Sequence, residues 1–281
     1  MPPVAKNDPM RSFVVSEVIS STSANLKVGQ LVSGVSSWSE YDVLDAAAVN
    51  PVQPNEHAGI KATHFIGALG APGATAYYGL VDIAGVKAGE IVLVSGAAGV
   101  VGSTAVQIAK HLLGAKRVIG IAGGEKKCQW VESLGADLCV DYKAANFEQQ
   151  LIKATDGFVD VFFDNVGGEI LDLALTRVKR FGRIAACGAI SAYNAPKSIK
   201  NWYEIISNRI EVKGFIIMDA MAAGKVPAMI GKIVEGVKAG KIKLDDEGET
   251  LVPAKFEDVP KTWNLLFTGG NQGKLVTELK G

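Results

Sequence analysis

The chain has 281 residues, of which 48% are hydrophobic and 21% charged, enough to bury a sizeable core and long enough for two domains. Lys plus Arg equals Asp plus Glu at 29 each, so there is no net charge to draw nucleic acid or an anionic membrane. Cys128, Cys139 and Cys187 lie far apart and form no C-x-x-C, which excludes a disulfide framework or a zinc knuckle and predicts reduced, mainly buried thiols. The opening MPPVAKNDPM lacks the charged and apolar regions of a secretory signal, and with the free thiols it predicts a cytoplasmic protein.

Along the chain, Phe13 to Val49 reads as β-rich, broken by glycine, proline and polar turns. Ile91 to Val94 is a β-branched run of the kind buried in parallel sheets, followed by glycines at 96, 99 and 102 and then by Ala105 to Leu113 with apolar residues at helical spacing. The nineteen residues from Ile91 to Ala109 carry no charge, yet three glycines and the strand-like first half argue against a membrane span. Arg117 to Ala122 is a second strand at the distance a βαβ unit requires. Helix and strand then alternate: Glu125 to Leu134, strand Leu138 to Asp141, helix Asn146 to Thr155, strand Phe158 to Asp164, helix Gly168 to Val178, strand Arg183 to Cys187, helix Ile199 to Asn208 and strand Val212 to Met218. Thr250 to Leu279 again looks β-rich. The pattern predicts an α/β doubly wound parallel sheet over residues 67–239, inserted into a β-rich domain formed by 1–66 and 240–281.

The glycine turn predicts dinucleotide binding. Its glycines let a pyrophosphate approach the backbone where a helix N-terminus offers free N–H groups and the positive end of its dipole. The spacing is G-x-x-G-x-x-G rather than G-x-G-x-x-G, so a glycine turn in another α/β fold remains an alternative. The second strand ends at Ala122-Gly123-Gly124 without an acid to hold the ribose hydroxyls of NAD, and Glu125, Lys126 and Lys127 follow. A lysine on the first helical turn favours NADP, the alternative being a solvated helix face. The tips Asp164 to Gly168 and Cys187 to Ser191 would bring backbone groups, Asn165 and Tyr193 to the reacting end, unless those side chains merely cap a helix or close a turn.

Several ordered motifs, GAPGATAYYGL (70–80), SGAAGVVGS (95–103), Lys127 before CQWVESLGAD, VDYK (140–143), FFDNVGGE (162–169), FGRIAACGAISAYN (181–194) and NQGKLV (271–276), resemble the zinc-independent medium-chain dehydrogenases/reductases. Within these they are most similar to the NADPH-dependent prostaglandin reductase, or alkenal double-bond reductase, branch. Gly34 to Tyr41, reading GxxxWxEY, resembles that family's first, GroES-like domain.

The resemblance implies phosphate contacts from Gly99, Val100, Val101 and Gly102, and 2′-phosphate contacts from Lys127 and Tyr142. It implies Asn165 on the ribose, and Cys187, Gly188, Ala189, Ile190, Ser191 and Tyr193 along the nicotinamide half. Phe215, Ile216 and Ile217 would lie beside the carboxamide, Asn271 would close from the C-terminal segment, and Tyr193 would assist the reaction by hydrogen bonding. Family members begin with further strands, including a D-P-Y-M-R segment, so the chain is expected to start midway through that first domain, with Asp8-Pro9-Met10-Arg11 matching a later loop.

The implied activity is NADPH-dependent reduction of the carbon–carbon double bond of an α,β-unsaturated aldehyde or ketone, without a metal. A non-catalytic NADPH-binding sensor with a shortened substrate lobe is the alternative. A zinc alcohol dehydrogenase is disfavoured because His57, His64 and His111 lack ligand-like spacing with the cysteines. The apolar strand predicted at Val212 to Met218 matches one that pairs across a two-fold axis in the family, so a homodimer is expected.

Overall fold

A computed structural model describes residues 4–193 and 197–279. The first strands, β1 (Arg11–Glu17), β2 (Leu31–Ser37) and β3 (Val49–Pro51), form an antiparallel sheet in which Val14 faces Gly34 and Val32 faces Pro51. Helix α1 (Ala71–Tyr78) opens with Pro72 in its first turn, where a missing N–H is harmless, and leads to β4 (Ile91–Ser95). There follow α2 (Val100–Gln107), β5 (Arg117–Ala122), α3 (Glu125–Ser133), β6 (Leu138–Asp141), α4 (Phe147–Ala154), β7 (Val159–Asp164), α5 (Gly168–Leu175) and β8 (Val178–Ala186). The chain continues through α6 (Tyr203–Ser207), β9 (Glu211–Gly214), α7 (Ile217–Ala222) and α8 (Val226–Lys238). It ends with β10 (Glu249–Ala254), α9 (Val259–Trp263), α10 (Leu265–Thr268) and β11 (Lys274–Leu279), the last pairing in parallel with β10.

Six strands form a parallel sheet in the order β6-β5-β4-β7-β8-β9, the Rossmann order with its reversal between β4 and β7. Strand alternation splits its core in two. Val92, Val94, Val118, Val161, Phe163 and Ala185 point to the face that α1, α2 and α8 cover. Leu93, Ile119, Ile121, Phe162 and Ile184 point to the other, packing with Leu151 of α4 and Leu175 of α5. Apolar residues on both faces are what a sheet sandwiched between helices demands, and truncating Phe162 to alanine would cost about 3–5 kcal/mol.

Several predicted boundaries move. The helix expected over 105–113 begins at Val100, and its last turn over Ile108–Leu112 widens so that Leu113 N donates to Ile108 O. The helix expected from Gly168 stops at Leu175, and Val178 already belongs to β8. Asp172 Oδ1 accepts from the amides of Lys200 and Asn201, both at 2.7 Å, so the 199–208 segment becomes helical only at Tyr203. The strand expected over 212–218 ends at Gly214 because Phe215 turns into the core against Tyr78 and Phe163, after which Ile217 starts a helix. The C-terminal stretch is not β-rich throughout: α9 and α10 separate its two strands, with Pro260 in the first turn of α9. Helices α1 and α8 have no counterpart among the predicted elements.

Candidate active site

A cleft of about 2270 Å³ runs between the carboxyl end of the six-stranded sheet and the β-rich part of the chain. Its floor is the turn after β4. Gly96 adopts φ +59°, and a methyl group at Gly102 would stand 2.2 Å from Gly96 O, so α2 packs on its own entry loop only because position 102 has no side chain. The N-terminus of α2, with Gly99 as its extended N-cap, thereby opens into the cleft. Gly273 N donates to Ala98 O at 2.8 Å, so the C-terminal loop crosses directly over this turn.

At one end of the cleft, Gly123 leaves room for the Tyr142 ring, whose atoms would lie 2.8 Å from a side chain there. Gly124 follows with φ +95°, its amide donating to Asp141 Oδ1 at 2.7 Å. Lys127 lines the same end, and its ammonium donates to Gly269 O (2.9 Å) and Asn271 O (2.6 Å), joining α3 to the C-terminal loop. Burial, and secondarily Lys143, pull its pKa below the usual lysine value. An ammonium carries three hydrogens, so one donor remains for a phosphate oxygen.

At the other end stand the tips of β7 and β8. Asn165 Nδ2 donates to Ser95 O at 2.7 Å, and the Ser191 hydroxyl donates to Val166 O at 2.7 Å, which ties the two tips together. Cys187, Gly188, Ile190, Ser191 and Tyr193 line the wall, while the side chain of Tyr193 is 65% exposed and its hydroxyl would lie 3.6 Å from a methyl group at Gly188. Burial, followed by the charge of Asp164, pushes the Cys187 thiol up to about 12, so it stands in the cleft as a neutral group. Asn194, which closes the 181–194 motif, lies outside the described residues.

Of the residues singled out by sequence, Gly99, Val100, Val101, Gly102, Lys127, Tyr142, Asn165, Cys187, Gly188, Ile190, Ser191, Tyr193 and Asn271 share this cleft. Ala189, Phe215, Ile216 and Ile217 do not line it: Phe215 is a core residue, and Ile216 faces solvent at 59% exposure. The opposite wall went unforeseen. Trp38 meets Trp263 edge-on at 5.6 Å, and Trp263 meets Phe267 at 5.7 Å, a continuous aromatic surface along the cleft. Beside it, hydroxyls of Ser36 and Ser37 hold the Asp42 carboxyl down at about 2 and brace the loop after β2. Trp263 and Phe267 lie in a segment read as β-rich, although Val259, Trp263, Leu266 and Phe267 stand at the helical spacing of the turns that bring them to Trp38.

The donors gathered here fit a phosphorylated dinucleotide: main-chain amides at a helix N-terminus, an ammonium with one hydrogen spare, a phenol, and the side-chain amides of Asn165 and Asn271. Among the described residues, no group of three or more His, Cys, Asp or Glu is placed to hold a metal ion, and no helix is long and apolar enough to cross a membrane.

Residues 1–52 match the model described as N-terminal domain of oxidoreductase, and 100–235 match the one described as zinc-binding dehydrogenase. The chain is 35% identical over 278 residues to bovine (Bos taurus) prostaglandin reductase 1, covering 97% of this chain and 82% of that protein. It is 34% identical over 288 residues to the NADPH-dependent curcumin reductase of Escherichia coli, covering 100% of this chain and 81% of the relative. The crystal structure of CurA from Vibrio vulnificus in complex with NADPH superposes with a TM-score of 0.88 at 34% identity, covering 99% of this chain and 82% of that one. The fold, the cleft and these similarities together make the chain a member of the medium-chain dehydrogenase/reductase family, in its prostaglandin reductase branch.

Proposed function

We propose that the protein is an NADPH-dependent oxidoreductase that reduces the carbon–carbon double bond of α,β-unsaturated aldehydes and ketones. The carrying observation is that the glycine turn, Lys127 and both glycine-rich tips line one wall of a cleft whose other wall is aromatic. Relatives named for NADPH and for prostaglandin or curcumin reduction support the reading. In it, the lobe formed by 1–66 and 240–281 supplies the substrate wall, and residues 67–239 supply the nucleotide wall.

NADPH, when bound, supplies the hydride equivalent. The amides at the start of α2 hold the pyrophosphate, Lys127 and Tyr142 flank the 2′-phosphate, and Asn165 with the 187–193 tip orients the nicotinamide half. Trp38, Trp263 and Phe267 exclude water from the conjugated chain of the substrate. The Tyr193 hydroxyl donates to the carbonyl oxygen and stabilises the negative charge that gathers there as the β-carbon is reduced. Solvent reaching this exposed tyrosine supplies the proton for the α-carbon.

The reading includes a homodimer in the cytoplasm. The four residues of β9 are exposed at the sheet edge, with Ile206, Ile216 and Met218 also exposed close by in sequence. The three cysteines are unpaired, as a reducing compartment requires. The deciding experiment mixes purified protein, NADPH and a simple 2-alkenal, and identifies the product by chromatography. The saturated aldehyde is expected. Nucleotide binding without any turnover of enals or enones would favour a sensor, and an allylic alcohol product would refute double-bond reduction.

A further inference from the structure

At the reversal point between β4 and β7 lies one acidic side chain that does not reach the cleft: Asp164, 1% exposed. Its Oδ1 accepts from the Ser95 hydroxyl (2.7 Å), Val166 N (3.0 Å) and Gly167 N (3.1 Å), and Oδ2 accepts from Gly167 N as well (3.1 Å). Its main-chain oxygen accepts from Cys187 N (2.8 Å) and Gly188 N (3.1 Å). The Ser95 hydroxyl in turn accepts from Asn165 N at 2.9 Å, which leaves its own hydrogen for the carboxylate. One buried residue therefore touches the end of β4, the 165–167 tip and the 187–188 tip, and the last two line the cleft.

We propose that Asp164 is the positioning residue of the nucleotide wall, its carboxylate locking the 165–167 tip to β4 while its main-chain oxygen holds the 187–188 tip, and the same carboxylate setting a fixed negative charge behind the nicotinamide half. The proposal rests on the NADPH reading given above. The groups around the side chain argue for its charge, because the amides can only donate and the serine hydrogen has no other acceptor there. Burial pushes the Asp164 pKa up from its ordinary value, and the Gly167, Ser95 and Val166 donors oppose that rise. The charge is felt at the cleft surface, where it adds to burial in keeping the Cys187 thiol protonated. A negative charge on that side favours the oxidised nicotinamide, which is cationic, over the reduced one, which is neutral. It thus draws the bound nucleotide towards giving up its hydride, while the locked tips hold Asn165 and Gly188 in place.

The test measures dissociation constants of NADPH and NADP⁺, by fluorescence quenching and calorimetry, for wild type, Asp164→Asn and Ser95→Ala. Asparagine keeps the shape and one acceptor oxygen but removes the charge and sets an N–H₂ against Gly167 N. Asp164→Asn is expected to weaken NADPH roughly tenfold and to raise the ratio of NADP⁺ to NADPH dissociation constants at least about threefold. Ser95→Ala, which keeps the charge, is expected to weaken both nucleotides by about fivefold and to leave the ratio unchanged. A folded Asp164→Asn protein with the wild-type ratio overturns the proposal, since a purely structural residue would behave that way. Should Asp164→Asn give no cooperative melt, wild-type nucleotide affinity in folded Ser95→Ala overturns it instead. Wild-type protein that binds neither nucleotide would remove the NADPH reading itself, a different failure.

Discussion

In the proposed reading, cofactor choice turns on Lys127. Lys127→Met keeps the aliphatic stem and removes an ammonium that donates to Gly269 O at 2.9 Å and Asn271 O at 2.6 Å. A hydrogen bond to a charged group is worth about 1.5–3 kcal/mol, but burial already penalises this ammonium, so the net loss from untying the C-terminal loop is about 1.5 kcal/mol. For a chain of this size that lowers Tm by about 2–3 °C. In the proposed reading the remaining hydrogen meets the 2′-phosphate of NADPH and would have no such partner in NADH. Its loss is worth the same 1.5–3 kcal/mol in binding, or a weakening of NADPH by about 10- to 150-fold, with NADH changed less than about threefold. Fluorescence titration of both nucleotides against wild type and Lys127→Met reads this directly. Equal wild-type affinity for NADPH and NADH would refute the reasoning, and so would an equal loss of both on substitution.

Gly102→Ala should lower stability by about 1–3 kcal/mol and nucleotide affinity with it, because the new methyl group would lie 2.2 Å from Gly96 O; a variant with wild-type melting and binding contradicts the account of the turn. His64, 3% exposed, has its pKa lowered from 6.5 by burial, with Glu249 opposing, so as pH falls below 6.5 the unfolded chain takes up the proton first and stability present above that pH is lost. Denaturant melts between about pH 7.5 and 5.5 should therefore show a slope that flattens in His64→Gln, and identical slopes would count against it. Light scattering at micromolar concentration should give twice the chain mass, reduced to the chain mass by Val212→Lys at the β9 edge. A monomeric wild type contradicts the dimer.

The Rossmann sheet was legible because parallel strands buried on both faces are written as largely apolar runs, and Ile91 to Val94, Arg117 to Ala122 and Phe158 to Asp164 each announce one. The cleft floor was legible for a related reason, since glycines at 96, 99 and 102 are hard to explain without a close backbone approach. Elements decided by tertiary contact were not. The amides caught by Asp172 delay α6, and the pull of Phe215 into the core ends β9 early, though local sequence favours longer elements in both places. The aromatic wall is invisible along the chain because Trp38 and Trp263 are 225 residues apart and meet only through the fold. Lys127 was legible as a cation on the first turn of the helix after the second strand, but its carbonyl partners at 269 and 271 come from the far terminus and carry no local signal.

The central claim, hydride delivery from NADPH to the β-carbon of an enone held in this cleft, is tested most directly by isotope transfer. NADPH deuterated at the reactive nicotinamide carbon is incubated with the protein and an enone, and the product is analysed by mass spectrometry and NMR. One deuterium at the β-carbon of the saturated ketone, from one of the two labelled faces only, is the predicted result. Deuterium at the carbonyl carbon, or a product with none, would contradict it.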